Sequence, residues 1–189
     1  ISCKRSFLEN YLAEKHLMKK DFLGVLFCGG RGSRLGEITQ FVSKSFLPVY
    51  DKPVFRFGLE LLQRSRAVGE ILILANDENA GKLETLGYKT VVQDDNLVHD
   101  MFTGWEFLKK TTGTRKHAVL MPSDNIVDVD LMKLVEIFEN EDADLAFSLI
   151  VPRNKSKLGQ MGSYDPVANR FFYKHPFPPT NYGVIAPYV

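Results

Sequence analysis

The chain has 189 residues, 44% of them hydrophobic, and its 24 basic and 23 acidic residues leave a net charge of +1. That is enough for one sizeable α/β domain with a packed core; it excludes a disordered chain and a global basic field, so neither nucleic acid nor an anionic membrane is an expected partner. Two cysteines, Cys3 and Cys28, make no disulfide framework or metal knuckle and fit a reducing cytosol, so a cytoplasmic location is expected. No apolar run nears the roughly 20 residues of a membrane helix, and no signal peptide is visible.

Residues 1–20 read as a helix, with Phe7, Leu8, Tyr11, Leu12, His16 and Leu17 at helical spacing. A solvated packing helix is the simplest role for it; a linker from an upstream domain and a docking face in a homo-oligomer stay open. Phe22–Cys28 (FLGVLFC) is a short apolar run ending in glycines, as a buried parallel strand does. The spacing next predicts a helix from Pro53 to about Val68, stopped by Gly69, and a strand over Glu70–Ala75. A short helix at Gly81–Leu86, a strand at Lys89–Gln93 and a helix at Leu97–Lys110 follow. Then come a strand at His117–Met121, a helix at Val129–Asn140 and a strand at Ala143–Val151. The tail from Met161 to Val189 reads as β-rich. The chain opens at Ile1 and closes inside an apolar stretch, which reads as a piece of a longer protein. Alternating strands and helices imply right-handed crossovers and a mostly parallel sheet covered on both faces. Ligands in such sheets sit at the carboxyl ends of the strands. Three notable segments end strands: Gly29–Arg34, Gln93–Asn96 and Ser123–Asn125.

Residues 29–35 read GGRGSRL. Glycines there expose backbone N–H groups without Cβ obstruction and can wrap phosphate oxygens. A P-loop is excluded, because no Gly-Lys-Ser/Thr occurs; a dinucleotide fingerprint is excluded, because the third glycine counted from Gly30 would be Leu35. A glycine turn alone is weak evidence, but Arg31, Arg34 and Lys44 stand close by in sequence. Fixed cations beside a backbone amide cradle are what nucleotidyl transfer needs, since both reacting groups are anionic.

The segment GVLFCGGRGSRLGEITQFVSKSFLPVYDKP (24–53) resembles the signature of the sugar-1-phosphate nucleotidyltransferases, and most of all the glucose-1-phosphate thymidylyltransferase branch. Gly29, Gly30, Gly32, Ser33, Arg34 and Leu35 match its glycine stretch; Lys44, Leu47, Pro48, Lys52 and Pro53 match the stretch that follows. The resemblance implies a Rossmann-like nucleotidyltransferase fold over residues 21–189, a mixed, mostly parallel sheet flanked by helices with a β-rich C-terminal part. It implies an enzyme that joins a sugar 1-phosphate to a nucleoside triphosphate, dTTP or UTP favoured, with Mg²⁺. Arg34 and Lys44 are then the catalytic cations, and Gly29, Gly30, Gly32 and Ser33 hold the nucleotide. Gln93 reads the base edge, as an amide that donates and accepts at once can; its alternative is a polar strand end. Asp124 holds the metal as a hard oxygen ligand; its alternative is a turn cap. Lys174 contacts the sugar phosphate.

Four departures stand against the family pattern. Asn96 replaces a glycine beside the base, Ser123 stands where glycine is common, Tyr173 replaces a glutamate with His175 intervening before Pro176, and the second metal aspartate would lie past Val189. They leave a rival from another class, a binding or regulatory module of the same fold without turnover. A related glycosyltransferase would need an Asp-x-Asp at the metal strand; Asp128-Val129-Asp130 instead reads as the start of a helix.

Overall fold

The computed structural model describes residues 22–30, 32, 35–93 and 101–189. The expected helix over 1–20, Arg31, Ser33, Arg34 and Asn96 lie outside the described residues.

The first strand, β1 (Phe22–Cys28), is the centre of the molecule. Its side chains alternate between two apolar clusters. Phe22, Leu26 and Cys28 enter one with Phe55, Leu59, Leu62, Leu131 and Val135. Leu23 and Val25 enter the other with Leu72, Leu74, Leu108 and Leu120. A strand buried on both faces must be apolar at every position, which is why FLGVLFC shows no polar alternation.

Around β1 run β4 (Val68–Ala75), β5 (Thr90–Val92) and β6 (Ala118–Pro122), all parallel. Two short strands, β2 (Pro48–Val49) and β3 (Lys52–Pro53), pair only with each other. Beyond β6 the sheet turns antiparallel, through β10 (Gly183–Tyr188). Strand β7 (Phe147–Ile150) and the hairpin of β8 (Gly162–Asp165) and β9 (Arg170–Tyr173) complete it. The order is β5-β4-β1-β6-β10-β8-β9, with β7 paired to β10, eight strands among the described residues. The mixed, mostly parallel sheet and the β-rich C-terminal part are as expected.

Among the described residues a short, exposed helix α1 (Ile38–Phe41) precedes four helices that pack on this sheet: α2 (Phe55–Arg64), α3 (Asp77–Thr85), α4 (Met101–Thr112) and α5 (Leu131–Asn140). The helix expected from Pro53 to Val68 is shorter at both ends. Pro53 belongs to β3, because its ring fits an extended pair as well as a first helical turn, and the chain leaves the helix at Ser65 with extended dihedrals. Gly69 lies inside β4 rather than stopping the helix. Helix α3 begins four residues earlier than expected, since Asn76 caps it by accepting from the Asn79 backbone N–H at 2.9 Å. Asp77 and Glu78 in its first turn favour the positive end of the helix dipole. Asp130 accepts from the Lys133 backbone N–H at 3.2 Å, so the second carboxylate of Asp128-Val129-Asp130 is the cap of α5.

Candidate active site

The strand order reverses at β1: β4 and β5 lie on one side of it, and β6 and all later strands on the other. Loops leaving β1 and β6 therefore diverge and open a crevice at their carboxyl ends, where open α/β sheets bind ligands. A cleft of about 1180 Å³ lies there. Gly29, Gly30, Gly32, Lys44, Gln93, Asp124 and Lys174 all line it. Seven residues chosen from sequence, spread from 29 to 174, thus meet in one cavity.

Two asparagines hold the backbone where the glycine loop leaves β1. Asn79, with no exposed surface, donates from Nδ2 to the Cys28 carbonyl at 2.5 Å, and Asn76 Nδ2 reaches the Gly29 carbonyl at 3.5 Å. These bonds satisfy carbonyls that the sheet leaves over where β1 ends. The sequence reading missed both residues. The cap signal of an Asn before Asp77-Glu78 was available for Asn76; a buried amide three residues later has no signal in one sequence.

Gly32 has φ +67, and a Cβ there would lie 2.9 Å from both the Lys44 Cβ and the Thr39 Cγ2. Glycine is required twice, for its left-handed backbone and for the close approach of the Lys44 stem. Gly30 differs, because a Cβ there would meet no protein atom within 4 Å. Its bare backbone faces the cleft rather than a neighbour.

Lys44 opens a short 3-10 turn, Lys44–Phe46. Its ammonium pairs with the Asp124 carboxylate, across 80 residues of sequence. Asp124 follows β6 directly, and both partners are about a third exposed, at 31% and 34%. A surface-accessible pair of this kind contributes little to stability, roughly 0–1 kcal/mol. Its significance is positional: the cation and the carboxylate of the resemblance touch.

Beneath them lies a buried polar knot. Ser45 and Ser123, 2% and 6% exposed, share a hydrogen bond of 2.8 Å between their hydroxyls. Cys28 sits below. Burial pushes its thiol up to about 12, against the opposing pull of hydrogen bonds from Ser123 and Ser45. The thiolate is the nucleophile, so Cys28 is an inert buried strand residue. In iodoacetamide at about pH 8, where an ordinary thiol near 8.5 reacts, peptide mass spectrometry should find Cys28 unlabelled in folded protein and labelled once it unfolds. Fast labelling of the folded protein would contradict this account.

Gln93 follows β5, is 3% exposed, and donates its backbone N–H to the Ala75 carbonyl at 2.8 Å. Across the cleft, Lys174 follows β9 with φ 45, a left-handed conformation uncommon for lysine. Its ammonium lies 4.9 Å from the Tyr173 ring centre. Met101, Phe102, Phe171 and Tyr188 also line the cleft, with the Phe102 and Tyr188 rings edge to face at 5.9 Å. Among the aromatic residues of the tail, Phe171 and Tyr173 are 38% and 53% exposed and line the cleft.

Asp124 is the carboxylate available to a metal here, and no group of three or more His, Cys, Asp or Glu side chains gathers to hold one among the described residues. That donor set suits Mg²⁺, which takes one or two carboxylates and completes its shell with phosphates and water.

Comparison with known proteins agrees with this geometry. Residues 23–174 match the sequence model of the family described as nucleotidyl transferase. A glucose-1-phosphate thymidylyltransferase of Neisseria gonorrhoeae is 34% identical over 95 residues, which cover 45% of this chain and 33% of that protein. The low-salt glycan biosynthesis nucleotidyltransferase Agl11 of Haloferax volcanii is 29% identical over 177 residues, 88% of this chain and 48% of that protein. The chain thus spans between a third and a half of the length of these relatives. In fold, it superposes on a Bacillus anthracis crystal structure, provisionally assigned as a glucose-1-phosphate thymidylyltransferase and solved with sucrose. The TM-score is 0.72 at 22% identity, covering 88% of this chain and 70% of that one. With the glycine loop, Lys44 and Asp124 gathered at the reversal point of the sheet, and a family match over most of its length, the chain belongs to the nucleotidyl transferase family.

Proposed function

We propose that this chain carries the nucleotide-binding part of an enzyme that couples a sugar 1-phosphate to a nucleoside triphosphate, dTTP or UTP favoured, and releases a nucleotide sugar and pyrophosphate. The observation that carries the reading is the pairing of Lys44 with Asp124 at the mouth of the glycine loop. A phosphate oxygen of the sugar 1-phosphate attacks the α-phosphorus in line. The bond from that phosphorus to its bridging oxygen breaks, and pyrophosphate carries away the negative charge. Lys44 supplies a fixed cation for the leaving group, and Arg34 is assigned the same role on the strength of its motif. The bare backbone of Gly29, Gly30 and Gly32, with Ser33, receives phosphate oxygens.

Asp124 would hold Mg²⁺, which when bound supplies positive charge to the phosphate oxygens. Gln93, after β5 at the opposite edge of the sheet from β9, has a side chain of the type that donates to and accepts from a base edge. Lys174 would take the acceptor's phosphate, while Phe171 and Tyr173 offer apolar faces to its ring.

The test is pyrophosphate release with Mg²⁺, using the full-length protein, over a grid of four nucleoside triphosphates and several sugar 1-phosphates. Release confined to one pair is the expected result and names the substrates. Silence over the whole grid, in protein shown to be folded, would favour the rival without turnover, a nucleotide-sensing module of the same fold.

A further inference from the structure

The hydroxyls of Ser45 and Ser123 are adjacent in sequence to Lys44 and Asp124 respectively, and they form a second, buried rung beneath that ion pair. The two segments they join are 78 residues apart. On one side, Ser123 is anchored to the sheet, its backbone N–H donating to the Phe27 carbonyl at 3.0 Å. On the other, the backbone bonds of the Lys44 turn are local: Phe46 N–H to the Ser43 carbonyl at 2.9 Å and Leu47 N–H to the Lys44 carbonyl at 3.2 Å. Local bonds shape the turn but do not fix its distance from β6. Phe46 packs its ring on Phe55 at 5.3 Å in the core, and the hydroxyl bond is the buried polar tie from the turn to the end of β6.

Ser123 occupies a position where the family resemblance led to glycine, so its hydroxyl is an addition, and Ser45 is the partner it meets. Two hydroxyls in an apolar interior are tolerated because each satisfies the other, with Cys28 beneath them. We propose that Ser45 and Ser123 are a positioning couple, which sets the Lys44 ammonium against the Asp124 carboxylate and so determines where the cation and the metal ligand meet the triphosphate. The catalytic consequence rests on the function proposed above; the geometric one does not.

Two readouts separate them. A carbodiimide joins a touching lysine and carboxylate as an amide with loss of water, and both Lys44 and Asp124 are exposed enough to react. The Lys44–Asp124 amide, quantified by peptide mass spectrometry, should fall several-fold in Ser45→Ala, in Ser123→Ala and in the double variant. Turnover should fall about 10- to 100-fold, the scale for a small misplacement of reacting groups, while KM for the triphosphate stays unchanged. The double variant should lose less than the product of the two single losses, because the Ser45–Ser123 bond is shared and is lost only once, while each hydroxyl's own contact with Cys28 goes with it. It also keeps the experiment interpretable where a single variant leaves one hydroxyl buried without a partner and folds poorly. Cross-link yield and kcat within two-fold of wild type in a folded double variant would overturn the proposal, as would losses that multiply from single to double. No turnover by wild type on any substrate pair would remove the proposed function alone, and the cross-link would still decide the couple.

Discussion

Replacing Lys44 with alanine should lower pyrophosphate release by about 10²- to 10³-fold, the usual cost of removing one fixed donor to developing negative charge. The loss should appear in kcat at saturating substrate, because the leaving group gains charge only as the reaction proceeds. Thermal stability should change little. The pair with Asp124 is about a third exposed on each side, and solvent screens most of what it contributes. Lys44→Arg restores the charge but replaces a compact ammonium with a planar fork, and should recover only part of the rate. Full turnover of Lys44→Ala at an unchanged melting temperature would remove Lys44 from the mechanism. Parallel losses of activity and stability would make its role structural.

Asp124→Asn is the complementary change. Asparagine keeps the shape and one oxygen but removes the charge that attracts both Lys44 and a hard cation. Turnover should fall on the order of 10²-fold or more, as several kcal/mol of charge stabilisation by the metal are lost. Binding of Mn²⁺ as a spectroscopic stand-in, in the presence of nucleoside triphosphate, should weaken in the same variant. A variant with normal Mn²⁺ binding and low turnover would move the metal to other ligands and leave Asp124 as the partner of Lys44 only. The fold should survive, since β6 and its partners hold the backbone of Ser123 and Asp124 from below.

Much of this arrangement was legible in the sequence, for identifiable reasons. Strand β1 reads correctly residue for residue because a strand buried on both faces leaves an unbroken apolar run, and Gly32, soon after it, is needed for the left-handed turn. Lys44 and Asp124 could be named from residue type and motif. Their contact could not, because the sequence gives no measure of how an 80-residue separation closes in space. The ends of α2 and β4 were misplaced at Pro53 and Gly69, two residues that break helices on average but here lie in strands whose pairing overrides local preference. The Asn79 link to β1 and the Ser45–Ser123 bond were invisible for a different reason. Both are single polar groups whose meaning depends wholly on what lies opposite them in the interior.

The position of β10 bears on how the molecule is made. This strand is the last of the described strands, yet it lies between β6 and β8, with Val184 and Ala186 almost wholly buried. The parallel half, β1, β4, β5 and β6, can assemble as soon as residue 122 has left the ribosome. From then until residues 183–188 emerge, the outer side of β6 is an open strand edge, able to pair with any extended chain nearby. Synthesis proceeds at about 5–20 residues per second, so that edge waits several seconds for its partner. The glycine-loop side of the cleft therefore exists before Phe171, Tyr173 and Tyr188 do. A nascent chain stalled in that interval would be a candidate for chaperone binding rather than for catalysis.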